Sequence, residues 1–105
     1  MNSKLNFTHI EGEITKPELV MYSLSTCAFC RRAKQFLQDN GFAFSFIHVD
    51  ELDQETKAQV KADIKARFKS LPVFPVLVIN DEEVVFGFAE AKWRKTLLQG
   101  DEGKN

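Results

Sequence analysis

The sequence is poor in the features that mark structural scaffolds and membrane proteins. Its 105 residues include only two cysteines and two histidines, and the formal net charge is −1. A charge so close to zero excludes a general basic field for nucleic acid or anionic lipid. No apolar run approaches the roughly 20 residues that a membrane-spanning helix needs. The first residues show no charged segment followed by an apolar block, so we expect no secretory signal and a cytoplasmic location.

Length and composition indicate a single domain with its own core. A chain of 105 residues with 44% hydrophobic residues is ordinary for one globular domain, which we expect to be a monomer. We expect residues 1–17 to form an N-terminal extension, either a tail or a short edge strand, because their apolar side chains are spaced irregularly. Residues 18–100 should carry the domain, and the polar residues 101–105 should be a frayed C-terminus.

The apolar pattern predicts seven elements. Continuous apolar runs predict strands over residues 19–24, 44–49, 76–79 and 84–86. Helical spacing predicts one helix between Cys27 and Asn40, one over 54–70, and one opened by Gly87-Phe88 and stopped by Gly100. Asp50 and Asp53 are candidate N-caps of the middle helix. The order β-α-β-α-β-β-α predicts an α/β fold with a four-stranded mixed sheet flanked by helices.

Both cysteines lie at one junction between a predicted strand and a predicted helix, in Thr26-Cys27-Ala28-Phe29-Cys30. A helix start leaves backbone N–H groups unpaired, and those donors and the helix dipole favour a thiolate at Cys27. Arg31, one turn further on, adds a stabilising positive charge. Cys30 is deeper in the helix and near enough to close a disulfide. The pair predicts a thiol–disulfide oxidoreductase in which Cys27 attacks and Cys30 resolves.

Two further roles for the cysteine pair stay open. The pair could be half of a zinc site, which needs two further ligands. The only histidines are His9, in the poorly patterned extension, and His48, whose position favours a locally packed strand residue. The cysteines could also be inert core residues, although packing does not account for two sulfurs at a helix start.

Phe74-Pro75 stands directly before the apolar run at residues 76–79. Proline lacks an N–H and cannot donate a ladder hydrogen bond there. A cis bond at Pro75 would turn the Phe74 backbone toward the end of the sheet, where its N–H and C=O could pair with an extended substrate. We therefore assign Phe74 and Pro75 to the substrate face, whereas Pro72 only ends the preceding helix.

These motifs together resemble those of the glutaredoxins, a branch of the thioredoxin fold, over residues 18–99. They are Met21-Tyr22-Ser23, Ser25-Thr26-Cys27-Ala28-Phe29-Cys30, Phe74-Pro75-Val76-Leu77-Val78-Ile79-Asn80, and Gly87-Phe88. The resemblance implies a thioredoxin-like fold, an attacking Cys27, a cis Pro75 and substrate hydrogen bonds from the Phe74 backbone. The expected substrate face comprises Thr26, Ala28, Phe29, Phe74, Pro75, Gly87 and Phe88.

Departures from the usual glutaredoxin pattern bear on the substrate. Ala28-Phe29 replaces Pro-Tyr, and Leu24 replaces a lysine. Gly87-Phe88-Ala89-Glu90 replaces Gly-Gly followed by Thr-Asp or Ser-Asp. The missing cation and the longer acidic side chain predict weak glutathione binding. Gly87-Phe88 also resembles the small redoxins that serve ribonucleotide reductase and take electrons from thioredoxin reductase.

The sequence thus predicts a glutaredoxin-like oxidoreductase that reduces protein or low-molecular-weight disulfides in cell redox homeostasis and electron transport. We expect no tightly bound cofactor, with glutathione as a candidate reductant or co-substrate. The expected partners are disulfide-containing proteins and an electron donor, either a thioredoxin reductase or glutathione. The alternative is an iron–sulfur cluster or metal-binding module on the same fold.

Overall fold

The computed structural model describes residues 5–70 and 72–98, which form a mixed sheet with helices on both faces. Its strands are β1 Thr8–Ile10, β2 Leu19–Ser23, β3 Phe44–His48, β4 Val76–Ile79 and β5 Glu83–Phe86. Its α-helices are α1 Ala28–Asp39, α2 Gln54–Phe68 and α3 Glu90–Leu98. The predicted stop at Gly100 and the predicted frayed C-terminus lie outside the described residues.

The strands are arranged in the order β1-β3-β2-β4-β5. β2 and β3 are parallel and are joined through α1, whereas the other three neighbouring pairs are antiparallel. β4 and β5 form a hairpin through Asn80 and Asp81, whose φ angles of 53° and 57° suit a tight hairpin turn. The predicted α/β fold of the thioredoxin-like class is confirmed.

Within the described residues the sheet has five strands rather than the predicted four, because β1 adds an edge strand. β1 pairs antiparallel with β3, with Thr8 opposite Phe46 and Ile10 opposite Phe44. Ile14 then forms an isolated bridge with Phe42. An edge strand has one partner and an exposed face, so its apolar residues need not alternate. The extension therefore covers the otherwise open edge of β3.

Alternation along the central strands divides the core between the two faces of the sheet. One face, the α1/α3 core, includes Leu19, Met21, Ala33, Phe36, Leu37, Leu77, Ile79 and Trp93. The other face, the α2 core, includes Ile47, Val49, Val60, Ile64, Val76 and Val78. All four residues of β4 are buried, because both of its faces are covered.

The helix ends mostly follow the sequence signals. After α1, the Asn40 side chain donates to the Phe36 carbonyl at 2.8 Å, and Gly41 takes a left-handed φ of 80°. Asp53 caps α2 by accepting the Thr56 N–H at 2.9 Å. Among the described helices, none is long and apolar enough to cross a bilayer.

The last helix begins at Glu90 instead of at Gly87-Phe88 as predicted. Gly87 cannot start it, because its φ of 75° is left-handed. Its N–H donates to the Val73 and Pro75 carbonyls. Gly87 also accepts the indole N–H of Trp93 at 3.0 Å. Gly87 is therefore bonded to the segment before β4 through its N–H and to α3 through its carbonyl.

Gly12→Ala should destabilise the fold, because the backbone that leads into β3 passes directly over Gly12. An added Cβ would lie 2.5 Å from the Phe42 carbonyl carbon and 2.6 Å from the Ala43 nitrogen, and backbone atoms cannot rotate away. We expect a loss of about 1–3 kcal/mol in the free energy of unfolding. Denaturant unfolding followed by the fluorescence of the single Trp93 measures it, with exposed Glu11→Ala as the control. Equal stability of the two variants would contradict the close approach.

Candidate active site

Strand register brings four loops to one end of the sheet. Ser23, the last residue of β2, pairs with His48, the last residue of β3. Tyr22 lies opposite Val76, the first residue of β4, and Val76 lies opposite Phe86, the last residue of β5. The loops after β2, β3 and β5 and the loop before β4 therefore meet at this end. We call it the Cys27 end of the sheet.

Cys27 is the N-cap of α1, as its position in the sequence predicted. Its Sγ accepts the backbone N–H of Cys30 at 3.1 Å, and its carbonyl accepts the N–H of Arg31 at 3.1 Å. The sulfur thus satisfies one of the donors that a helix start leaves unpaired. Cys27 is also partly exposed, so a substrate disulfide can reach it from solvent.

Cys30 has the opposite environment. It is only 3% exposed, and its Sγ accepts the Leu24 N–H at 3.5 Å. Burial, followed by a hydrogen bond with the Cys27 side chain, raises the pKa of the Cys30 thiol from its ordinary 9.0 to about 12. Both cysteines are free. Their roles stay predictions, but the pair has the asymmetry that an attacking and a resolving thiol need.

Phe74 and Pro75 lie at the same end, and the bond between them is cis, as predicted. Pro75 is buried, and its carbonyl accepts the Gly87 N–H at 2.8 Å. The same N–H also lies 3.0 Å from the Val73 carbonyl. These bonds bring the predicted substrate residues Phe74, Pro75 and Gly87 together.

The predicted substrate face is uneven in its exposure. Three of its residues are exposed around Cys27, namely Thr26, Ala28 and Phe29. Phe29 is exposed over 55% of its surface. Phe74 is partly buried against the α2 core. Phe88 packs instead on the α1/α3 core, with its ring centroid 4.9 Å from that of Trp93. Phe88 therefore offers only part of its ring to a substrate.

Sequence reasoning missed an apolar residue at this face. Val73 is exposed over 56% of its surface, and its side chain lies beside Gly87. The only signal for it was an apolar residue directly before Phe74-Pro75. Val73 and Phe29 are the most exposed large apolar side chains of the described residues.

Asp50 was also missed as a site residue. It was predicted only as one of two candidate N-caps, and Asp53 alone takes that role for α2. Asp50 instead accepts two hydrogen bonds from Ser25, one from the backbone N–H at 2.8 Å and one from the hydroxyl at 2.5 Å. These bonds lower the pKa of the Asp50 carboxyl. The signal was its position, directly after a strand that ends beside β2.

The basic residues of α1 make few contacts near Cys27. Arg31 is exposed, and within residues 5–70 and 72–98 its side chain forms no ion pair. The Arg32 guanidinium lies 5.7 Å from the Phe29 ring centroid, and Lys34 lies over Phe46. Thiolate stabilisation by Arg31 stays a prediction.

The two histidines have local partners. His9 Nδ1 lies 3.1 Å from the Ser45 hydroxyl, and His48 Nδ1 lies 3.5 Å from a Glu51 carboxylate oxygen. The His48 ring also packs against Phe46. No group of three His, Cys, Asp or Glu side chains placed to hold a metal ion occurs in the described part of the chain.

A thioredoxin-like sheet with two cysteines at the start of α1 defines the class of dithiol redox proteins. The family model for glutaredoxin matches residues 19–84. The chain therefore belongs to the glutaredoxin family. Family and fold together indicate a thiol–disulfide oxidoreductase role in general.

Solved structures agree with this assignment. The chain is similar to the glutaredoxin from Methanosarcina mazei Go1, with 32% identity, 88% of this chain and 87% of that chain covered, and a TM-score of 0.73. It is 36% identical to Methanosarcina acetivorans methanoredoxin, with 83% of this chain and 90% of that chain covered and a TM-score of 0.72. It is 33% identical to a glutaredoxin from Archaeoglobus fulgidus, with 80% of this chain and 89% of that chain covered and a TM-score of 0.67. No curated protein sequence matches significantly.

The difference in burial predicts a difference in alkylation. In Cys27→Ser the remaining Cys30 thiol should react slowly at neutral pH, with an alkylation midpoint still above the ordinary 9.0, because burial is the main cause of its raised pKa. In Cys30→Ser the remaining Cys27 should react faster at the same pH. Iodoacetamide rates measured across pH test both variants. A fast-reacting Cys27→Ser protein would reverse the assigned roles.

Proposed function

We propose that this protein reduces disulfide bonds of protein substrates through Cys27 and Cys30. The asymmetry of the two thiols carries the proposal. Cys27 caps α1 and reaches solvent, whereas Cys30 is buried, has a raised pKa and lies beside it. An exposed thiol can meet a substrate disulfide, and a buried thiol beside it can attack the mixed disulfide that results.

The reaction has two thiol–disulfide exchanges. The Cys27 thiolate attacks one substrate sulfur, so that a Cys27–substrate disulfide forms and the other substrate sulfur leaves as a thiolate that takes up a proton. Cys30 then loses its proton and attacks Cys27 Sγ, which releases the second substrate thiol. The substrate disulfide gains two electrons, and the protein ends as a Cys27–Cys30 disulfide. A separate electron donor must reduce that disulfide again.

Apolar side chains at the Cys27 end support a protein substrate. Phe29 and Val73 are both more than half exposed, and the Arg32 guanidinium lies over the Phe29 ring. In the described part of the chain, no hydrogen bond uses the Phe74 N–H or C=O. An extended substrate segment could pair with those groups while its apolar side chains contact Phe29 and Val73.

Two contacts disfavour glutathione as the preferred substrate. Leu24, which stands where many glutaredoxins have a lysine, packs against the α2 core and offers no charge to a carboxylate. Glu90 is the candidate partner for the ammonium of glutathione, but its Oε2 already forms an ion pair with Arg94 Nη2 at 2.6 Å. Exposed ion pairs contribute at most ~1 kcal/mol each. We therefore propose weakened binding of glutathione, by several-fold, and not its complete loss.

The oxidised protein needs an electron donor, and the two candidates are a thioredoxin reductase and glutathione. We propose a reducing compartment such as the cytoplasm, and a thioredoxin reductase as the donor, because the weak glutathione contacts favour a protein donor. Oxidised protein should be offered NADPH with thioredoxin reductase, or glutathione with glutathione reductase. Consumption of NADPH in the first system supports the proposal. Reduction in neither system, together with a visible absorbance band in protein isolated without air, would support the cluster-binding alternative instead.

We expect an insulin-type protein disulfide to be reduced faster than a glutathione mixed disulfide. Phe29→Ser should slow reduction of the protein disulfide several-fold, because it removes exposed apolar contact area next to Cys27. It should leave the glutathione substrate nearly unchanged. Steady-state rates on both substrates measure the effect, and Gln38→Ser, on an exposed later turn of α1, is the control.

Leu24→Lys should raise activity on the glutathione mixed disulfide, because it restores a cation at the site. Leu24→Met is the matched control, since it changes the packing without adding charge. If wild-type protein prefers the glutathione substrate and Leu24→Lys brings no gain over Leu24→Met, the proposed specificity is wrong.

A further inference from the structure

Asp50 binds the loop that carries the reactive cysteines. The residue lies in a 3-10 turn, Val49–Glu51, directly after β3, at the Cys27 end of the sheet. Its two carboxylate oxygens accept separate hydrogen bonds from Ser25, at 2.8 Å from the backbone N–H and 2.5 Å from the hydroxyl. Hydrogen bonds to an ionised carboxylate are stronger than those between neutral groups. The Asp50 side chain thus holds the β2–α1 loop against the end of β3.

This loop makes hydrogen bonds to both cysteines. Leu24 directly precedes Ser25, and its N–H donates to Cys30 Sγ at 3.5 Å. The Leu24 carbonyl also accepts the Cys27 N–H at 3.3 Å. Ser25 therefore lies between Leu24, which is bonded to Cys30 Sγ, and Cys27. A displacement of this loop changes the alignment of Cys30 with Cys27.

The charge of Asp50 acts on the same thiol. Its negative charge is the smallest of the causes that raise the pKa of Cys30, after burial, the Cys27 hydrogen bond and the charge of Cys27. The hydrogen bonds from Ser25 lower the pKa of Asp50 itself, so the carboxyl stays ionised at neutral pH. The titratable residue His48 also contributes to the lowered pKa of Asp50, and its Nδ1 is 3.5 Å from a Glu51 carboxylate oxygen.

We propose that Asp50 is a positioning residue for the second step of disulfide reduction. Acting through Ser25, it holds the β2–α1 loop so that Cys30 Sγ is aligned to attack Cys27 Sγ in the mixed disulfide. This role rests on the proposed function. In that step the Cys30–Cys27 bond forms, the bond from Cys27 to the substrate breaks, the substrate leaves as a thiolate, and the Cys30 proton passes to solvent.

A single-turnover reaction with the disulfide of thionitrobenzoate separates the two steps. Attack by Cys27 releases the first coloured thiolate, and attack by Cys30 releases the second. Asp50→Ala should leave the first phase near the wild-type rate and slow the second roughly tenfold, since misalignment acts on the intramolecular attack. Ser25→Ala, which removes one of the two hydrogen bonds, should give a smaller slowing. Glu51→Ala, in the same turn, is the control and should match wild type.

Asp50→Asn separates alignment from charge. Its amide oxygen can accept the Ser25 N–H, so the second phase should recover most of its rate. Its lost charge should move the pH profile of the second phase to lower pH, because the negative charge of Asp50 raises the pKa of Cys30. A residue that served stability alone would not shift this profile.

Thermal unfolding of each variant checks that it is folded before the kinetics are compared. The role of Asp50 is excluded if Asp50→Ala folds and keeps the wild-type second phase, or if folded Asp50→Asn is as slow as Asp50→Ala and keeps the wild-type pH profile. A wild-type protein that releases only the first thiolate would instead refute the proposed dithiol function. The two failures are therefore distinguishable.

Discussion

The hydrogen bond from the Cys30 N–H to Cys27 Sγ is the interaction on which the site depends. An N-cap position is usually filled by Ser, Thr, Asp or Asn, whose oxygen accepts such an N–H. Here a sulfur does this, so the atom that caps the helix is also the proposed nucleophile. β2 is paired on both sides and buries alternate residues, Leu19, Met21 and Ser23, so a slip by one residue would move them to the other face. The place of the cap, and therefore of the sulfur, follows from the placement of β2.

The remaining parts of the site follow from the order of the strands. β3 runs parallel to β2, while β4 runs antiparallel to β2 and to β5. The two parallel strands end where β4 begins and β5 also ends, so loops distant in sequence meet beside Cys27. Asp50, Pro75 and Gly87 reach the site in this way, from three different loops. The rigid sheet places the groups, and the loops supply the chemistry.

Local signals were enough to predict much of this structure. The helix start at Cys27, the end of α1 at Gly41 and the continuous apolar run of β4 each depend on neighbouring residues. β1 could not be predicted as readily, because an edge strand with exposed Thr8 carries little apolar pattern. The predicted start of α3 was wrong by a few residues, because Gly87 is left-handed and its N–H bonds to the distant segment before β4.

The proposed role of Asp50 could not be predicted from the sequence for a similar reason. Its partner Ser25 lies 25 positions earlier in the chain, and only the pairing of β2 with β3 brings the two together. From the sequence alone, an aspartate before a predicted helix is most simply interpreted as its N-cap. The structure assigns the cap to Asp53 and leaves the Asp50 carboxylate to the active-site loop.

The contacts of Cys30 also order the two steps of the proposed reaction. Three of the causes that raise its pKa are burial, the hydrogen bond with Cys27 and the charge of Cys27. Once Cys27 is joined to substrate, its sulfur carries no charge and accepts a hydrogen bond from the Cys30 thiol only weakly, so both causes that belong to Cys27 diminish. The pKa of Cys30 should then fall, so we expect its thiolate to form more readily once the mixed disulfide is present. Burial restrains the second thiol throughout, whereas the first exchange reduces the restraint that comes from Cys27.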